Sequence, residues 1–269
     1  MRSAQLMDLG LKGKIALVAA ASRGLGRAVA EELAAEGASL ILCARDASVL
    51  NETTEHIVRT TGAQALAVPA DLTNAGEIAK LVNSGLEKFG RIDILVTNNG
   101  GPPAGQFETL TREQWEAAIK LTLHSVLELT RNVLPGMKER RWGRILNITS
   151  VAVKQPIDNL LLSNSLRAAV TGFARTLANE VATFGITVNN IMPGYTRTER
   201  VVELAEVMGQ REGINAAEFV GRWEKEIPMG RLGEVREFAA LAAFLVSERA
   251  SYITAASIPV DGGWIRTVL

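Results

Sequence analysis

Ile15-Ala16-Leu17-Val18-Ala19-Ala20-Ala21-Ser22-Arg23-Gly24-Leu25-Gly26-Arg27 reads as a β-strand, a tight turn and the start of a helix, in that order. Ile15 to Ala20 is apolar throughout, as in a strand covered on both faces, and Ala28, Val29 and Leu33 then recur at helical spacing. Glycine at 24 and 26 lets one backbone pass close to another, while the start of a helix offers free amides and a favourable dipole. Such a turn either cradles a dinucleotide pyrophosphate or is a plain strand-to-helix connection, and two glycines alone do not separate these.

Working outward, similar apolar runs recur at Ser39 to Cys43, Ala65 to Val68, Ile92 to Val96, Arg144 to Ile148, Ile186 to Ile191 and Ala256 to Val260. Helical patterns lie between them, such as Ile78, Leu81 and Val82. The expectation is an α/β fold: a doubly wound, parallel, seven-stranded sheet of Rossmann type with right-handed crossovers. No linker, charge block or internal repeat divides the chain, so residues 9–269 read as a single domain, with 1–8 as an extension of no assigned function. Between the sixth and seventh strands, 198–226 reads as two helices broken near Gly209 to Gly213, with Val201, Val202, Leu204 and Met208 apolar. It is either a lid over a substrate cleft or an ordinary packed pair.

Composition narrows the partners. Twenty-nine basic residues balance twenty-nine acidic ones, so no net field draws the chain to nucleic acid or an anionic membrane, and a small-molecule partner is expected. With 47% hydrophobic and 22% charged residues, the chain can bury a large core. Cys43 is the only cysteine, which excludes an intrachain disulfide and a thiolate metal cluster and fits a cytoplasmic protein. No histidines or carboxylates fall at ligand spacing within one motif, so no metal is expected, and the longest apolar runs are far short of the ~20 residues that span a bilayer.

Signals at successive strand ends now acquire a pattern: Ser22 to Gly26 after the first strand, Asp71-Leu72 after the third, Asn98-Asn99-Gly100 after the fourth, Ser150 after the fifth, and Pro193-Gly194 with Thr198 after the sixth. Over nearly its whole length the chain resembles the short-chain dehydrogenase/reductase family, and within it the 3-oxoacyl-carrier-protein reductases. The turn departs from that family's first glycine, since Ala19 and Ala20 stand there; a positive φ at Ala20 would cost ~1 kcal/mol or more. The resemblance implies cofactor contacts from Ser22, Arg23, Gly24, Leu25, Gly26, Asp71, Leu72, Asn98, Asn99, Gly100, Arg167, Pro193, Gly194 and Thr198, and assembly as a homodimer or homotetramer. The second strand ends Cys43-Ala44-Arg45, with cations at Arg23 and Arg45 where an acid would meet a free ribose 2′-hydroxyl. NADP(H) is therefore favoured over NAD(H), against the presence of Asp46 next door.

The family's catalytic serine, tyrosine and lysine correspond to Ser150, Ser163 and Arg167, thirteen and then four residues apart, and its asparagine to Thr122. Only the serine keeps its identity. Ser163 and Arg167 share one helical face, and Arg167 can replace the lysine's hydrogen bonds to the nicotinamide ribose. An alkyl hydroxyl resembles water, at about 15.7, more than tyrosine, at about 10, a gap of roughly 8 kcal/mol in proton affinity. Tyr195, directly after Pro193-Gly194, is the best candidate for a relocated acid, with Lys154 and His124 as others; His124 reads more simply as a core or interface residue and His56 as a solvated one. Two functions stay open: an NADP(H)-dependent oxidoreductase of a ketone or secondary alcohol with an altered proton-transfer site, or an inactive nucleotide- or metabolite-binding protein acting as a sensor or oligomer partner.

Overall fold

The computed structural model of the chain describes residues 8–268. The expected extension at 1–8 therefore lies outside the described residues except for Asp8, whose Oδ1 accepts the Gly10 amide at 2.8 Å.

The apolar runs all become strands, within about two residues of where the pattern puts them: β1 Ile15–Val18, β2 Ser39–Ala44, β3 Ala65–Pro69, β4 Ile94–Thr97, β5 Gly143–Ile148, β6 Ile186–Pro193 and β7 Ser257–Val260. They pair in parallel in the order β3-β2-β1-β4-β5-β6-β7. β1 stops at Val18 because the chain peels into the glycine turn, but Ala19 still donates to Val96 at 3.0 Å and Ala21 to Cys43 at 2.9 Å.

The helices are α1 Gly24–Ala35, α2 Ala47–Thr61, α3 Ala75–Phe89, α4 Arg112–Ile119, α5 Ser125–Glu139, α6 Leu161–Val181, α7 Glu199–Glu212, α8 Ala216–Glu226 and α9 Val235–Leu245. Period-two alternation of β1 sends Ala16 and Val18 to one face and Ile15, Leu17 and Ala19 to the other. On the first face lie Val29 and Leu33 of α1, Leu50 and Ile57 of α2 and Phe238 of α9; on the second, Leu81 of α3, Val133 of α5 and Leu177 of α6. The sheet is thus covered on both sides, which is why its strands are mostly apolar on both faces.

One polar rung crosses this apolar sheet. Thr97 donates to Asn147 Oδ1 at 2.7 Å, Asn147 Nδ2 to Asn190 Oδ1 at 3.1 Å, and Asn190 Nδ2 to Ser257 Oγ at 3.0 Å. The four residues are in register on adjacent strands, Thr97 and Asn147 at or next to the carboxyl ends of β4 and β5, Asn190 within β6 and Ser257 at the start of β7. Each buried polar group satisfies the next, so the rung fixes the register of β4 to β7 just below the loops that form the cleft.

A third cluster packs at the end of β6. Ala205 of α7 and Phe219 and Trp223 of α8 pack with Met192, Tyr195, Leu232 and Trp264. The two expected helices are present, but the break falls at Gly213, in the left-handed region with φ +72°, followed by Asn215 capping α8 through the Glu218 amide. Gly209, expected at the break, lies buried inside α7.

Candidate active site

The sheet order reverses between β1 and β4, and loops leaving the strand ends diverge there, which in an open α/β sheet makes a crevice. A cavity of about 480 Å³ occupies that place, walled by the β1–α1 turn, the ends of β2, β4, β5 and β6, and by α6 and α7. A second cavity, about 360 Å³, lies between α7 and the Gln106–Thr109 segment, and its one acid, Glu212, pairs with Arg222.

In the first wall the turn holds Ala20 at φ +48° and Gly24 at φ +55°. The family's glycine position therefore does need positive φ, and Ala20 adopts it at a steric cost. Gly26 lies at the contact between turn and helix: a Cβ there would come within 2.3 Å of the Ala20 carbonyl oxygen and 2.8 Å of Asn98 Nδ2. Asn98 itself donates to the Ala20 carbonyl at 3.3 Å, tying the β4 loop to the turn. Arg23, Gly24, Leu25, Asn98, Asn99 and Gly100 all reach the cavity. Ser22, Gly26, Asp71 and Leu72 do not; they support its wall. Ser22 accepts from Thr53 through its carbonyl, Leu72 is buried under the sheet, and Asp71 accepts the amide and hydroxyl of Thr73. Those two bonds from Thr73, with nearby Arg45 assisting, hold the Asp71 carboxyl below its ordinary range.

At the β2 end Arg45 is exposed and reaches the cavity, as does Arg23 opposite it. Neither has a carboxylate partner within salt-bridge distance among the described residues. Asp46 is committed elsewhere: its Oδ1 accepts the Ser48 and Val49 amides at 3.0 and 3.1 Å and so caps α2.

The opposite wall is made of side chains. Ser150 Oγ accepts the Ala152 amide at 3.1 Å, which leaves its own proton to donate into the cavity. Ser163 and Arg167 stand one turn apart on α6, and Arg167 Nε donates to Ser163 Oγ at 3.2 Å. Arg167 Nη1 donates to the carbonyls of Ile148 and Thr149 at 2.9 and 3.0 Å. Its residue is only 9% exposed, and burial, aided by the like charge of Arg200, brings the guanidinium down to about 10, so it stays a cation at neutral pH. Behind α6, Thr122 sits in a π-helical turn, Lys120–His124, with a buried hydroxyl that has no partner; Asn99 Oδ1 is buried and unpartnered in the same way.

Pro193, Gly194, Tyr195 and Thr198 complete the β6 wall, with Thr198 capping α7 through the Val201 amide at 3.3 Å. Tyr195 is stacked on Trp223 with ring centroids 4.4 Å apart and meets Trp264 edge-on at 5.6 Å. Burial and the charge of Glu226 push its phenol above the ordinary tyrosine value, making it a weaker acid than a free phenol. Lys154 and His124 are exposed and do not line the cavity, so a core position for His124 is not what forms; half-buried His56 lies 3.9 Å from Glu31. Sequence reading missed Arg200, on the first turn of α7, because spacing gave no sign that α7 would bring it over the cavity. Among the described residues no group of three or more His, Cys, Asp or Glu side chains is placed to hold a metal, and no helix is long and apolar enough to cross a membrane.

A glycine turn, a switch-point cleft and polar strand ends recur together in one set of known proteins. The family profile described as Enoyl-(Acyl carrier protein) reductase matches residues 19–265. The chain belongs to the short-chain dehydrogenase/reductase family. The 3-oxoacyl-(acyl-carrier-protein) reductase FabG of Escherichia coli is 35% identical over 255 residues, covering 95% of this chain and 98% of that protein. Among solved structures, L-sorbose reductase from Gluconobacter frateurii, complexed with NADPH and L-sorbose, superimposes with a TM-score of 0.93 at 32% identity over 97% of this chain and all of that one. An actinorhodin polyketide ketoreductase variant with NADPH gives 0.91 at 32% identity, covering 94% and 98%. Family membership accounts for the single-domain, seven-stranded parallel fold and for the position of the cleft.

Proposed function

We propose that this short-chain dehydrogenase/reductase reduces a ketone with NADPH, or runs the reverse oxidation, through a proton-transfer site altered at Ser163 and Arg167. The observation that carries the cofactor reading is the pair Arg23 and Arg45: two guanidinium groups lining the cavity, while the neighbouring acid, Asp46, turns Oδ1 to the cap of α2. A 2′-phosphate fits such a pair and a free 2′-hydroxyl does not need it. NADPH-bound relatives and a ketoreductase among the similar structures point the same way. The cofactor fits the rest of the wall: the α1 amino terminus faces the cavity, Gly24 leaves it open, and unpartnered Asn99 Oδ1 offers an acceptor.

When bound, the nicotinamide supplies hydride. The protein's own share is orientation and charge. Ser150 donates a hydrogen bond to the substrate carbonyl, and the Arg167 cation, buried in a medium of low dielectric, stabilises the negative charge that develops on that oxygen. Ser163, bonded to Arg167, relays a proton from water rather than acting as a strong acid. Tyr195 belongs to the aromatic cluster, and α7 with α8 forms a lid over the substrate end of the cleft. Assembly as a dimer or tetramer is part of the proposal and is read by light scattering.

Calorimetry with NADPH and NADH tests the reading. We expect NADPH to bind more tightly, with Arg45→Ala cutting that preference about tenfold. Failure of both nucleotides to bind at millimolar concentration removes the reductase reading and leaves the inactive binding protein. Equal affinity for the two removes the role of Arg23 and Arg45.

A further inference from the structure

Arg167 has five N–H donors, and three are used: Nε on Ser163, and both Nη1 protons on Ile148 and Thr149. The Nη2 group has no acceptor among the described residues, and no carboxylate lies within salt-bridge distance of this nearly buried cation. Buried charges are ordinarily paired, because an unpaired one loses its solvation without return. The charge that acts on Arg167 is instead another cation, Arg200, which lowers its proton affinity further.

Arg200 lines the cavity from the first turn of α7. Its Nη2 donates to the Pro102 carbonyl at 3.2 Å, and a Cβ on Gly101 would come within 3.2 Å of both Nε and Nη2. A side chain at 101 would therefore make the guanidinium give way by a few tenths of an ångström. The remaining charges on the wall are Arg23 and Arg45, at the nucleotide end, and the acids Glu199 and Glu203. Glu203 is 3.7 Å from Arg200 with both side chains about half exposed, so it screens Arg200 weakly and does not reach Arg167.

Resting on the reductase reading, we infer that the substrate is an oxo acid whose carboxylate sits between Arg200 and Arg167. The carboxylate accepts one of the two free Nη2 protons of Arg167 and bridges to the Arg200 guanidinium, leaving the other Nη2 proton for the oxygen of the reacting carbonyl. It turns a repelling pair of cations into a clamp closed by the α7 helix. A single negative charge suits the place better than a dianion, because Glu199 and Glu203 already border it.

The test compares 2- and 3-oxo acids with their methyl esters in the full-length enzyme, with saturating NADPH, alongside direct titration of NADPH. We expect kcat/KM for the preferred acid to exceed that for its ester about a hundredfold, Arg200→Ala to abolish most of that difference through KM, and Arg200→Lys to keep part of it. NADPH affinity should stay within about twofold in both variants, since Arg200 serves the substrate. Esters reduced as well as acids overturn the inference and leave the reductase standing. A loss of NADPH affinity in Arg200→Ala overturns it too, by assigning Arg200 to the cofactor. If NADPH does not bind at all, the acids are titrated into the nucleotide-free protein: saturable binding lost in Arg200→Ala upholds the carboxylate site while the reductase reading falls, and no binding removes both.

Discussion

The two ends of the cleft are built from different material. The nucleotide end, at β1, β2 and β4, is mostly backbone: a left-handed turn, the amino terminus of α1 and the loop tied down by Asn98. The substrate end, at β5, β6 and α6, is mostly side chains: Ser150, Ser163, Arg167 and, from α7, Arg200. A backbone site tolerates drift in side-chain identity provided its few glycines stay, whereas a side-chain site changes its chemistry with a single replacement. The first end holds Gly24 and Gly26, with Ala20 at positive φ before them, and the second is where we propose that Ser163 and Arg167 alter proton transfer.

The largest effect should come from breaking the backbone end. Gly26→Ala puts a methyl 2.3 Å from the Ala20 carbonyl oxygen, so turn and helix must separate. A displacement of that kind should weaken NADPH binding about a hundredfold or more while the fold survives, measured by calorimetry beside circular dichroism. Affinity within a few-fold of the parent would mean the turn does not hold the nucleotide.

At the side-chain end the sharper experiment is a gain. Ser163 faces an open cavity, so the pair Ser163→Tyr with Arg167→Lys has room to rebuild the acid and its supporting cation. Carbonyl reduction should rise about tenfold or more in kcat, with kcat falling at high pH as the new phenol ionises. No gain would show that Ser163 and Arg167 belong to a different chemistry, such as one in which proton delivery does not limit the rate.

The contrast also explains what could be read beforehand. Strand positions were legible because a sheet covered on both faces favours short apolar runs, and Ile15 to Val18 is such a run from end to end. The turn was legible because only small residues fit where Gly26 meets Ala20. The Thr97-Asn147-Asn190-Ser257 rung was not, since it depends on register between strands far apart in sequence. Arg200 and the aromatic surroundings of Tyr195 were hidden for the same reason: they are set by how α7 and α8 pack against the end of β6, and helical spacing says nothing about that packing.

A smaller change tests the one strained point of the backbone end. Ala20 holds φ +48° at a cost of ~1–2 kcal/mol, against the ~0.5–1 kcal/mol that glycine loses through its freer unfolded chain. Ala20→Gly should therefore stabilise the fold by up to about 1 kcal/mol in urea unfolding and tighten NADPH a few-fold, because its methyl also leaves the cavity wall. A loss of stability would mean the turn is held without strain.

The smallest effect is expected at Tyr195, which lines the cavity beside Gly194. Its ring is clamped between Trp223 and Trp264, and its hydroxyl makes no hydrogen bond among the described residues. The direction of its ionisation matters. Burial and Glu226 raise the phenol, so over ordinary assay pH it stays protonated and its charge does not change. If it were the acid, it would also hold its proton more tightly than a free tyrosine and give it up more slowly. Tyr195→Phe keeps the ring and both aromatic contacts, so stability should move by less than about 0.5 kcal/mol. Turnover should stay within about twofold, with an unchanged pH profile from neutral to mildly alkaline conditions. A hundredfold fall in kcat at constant KM would instead return the proton to Tyr195 and make the substrate end, like the nucleotide end, a rearranged version of the family's site rather than a replaced one.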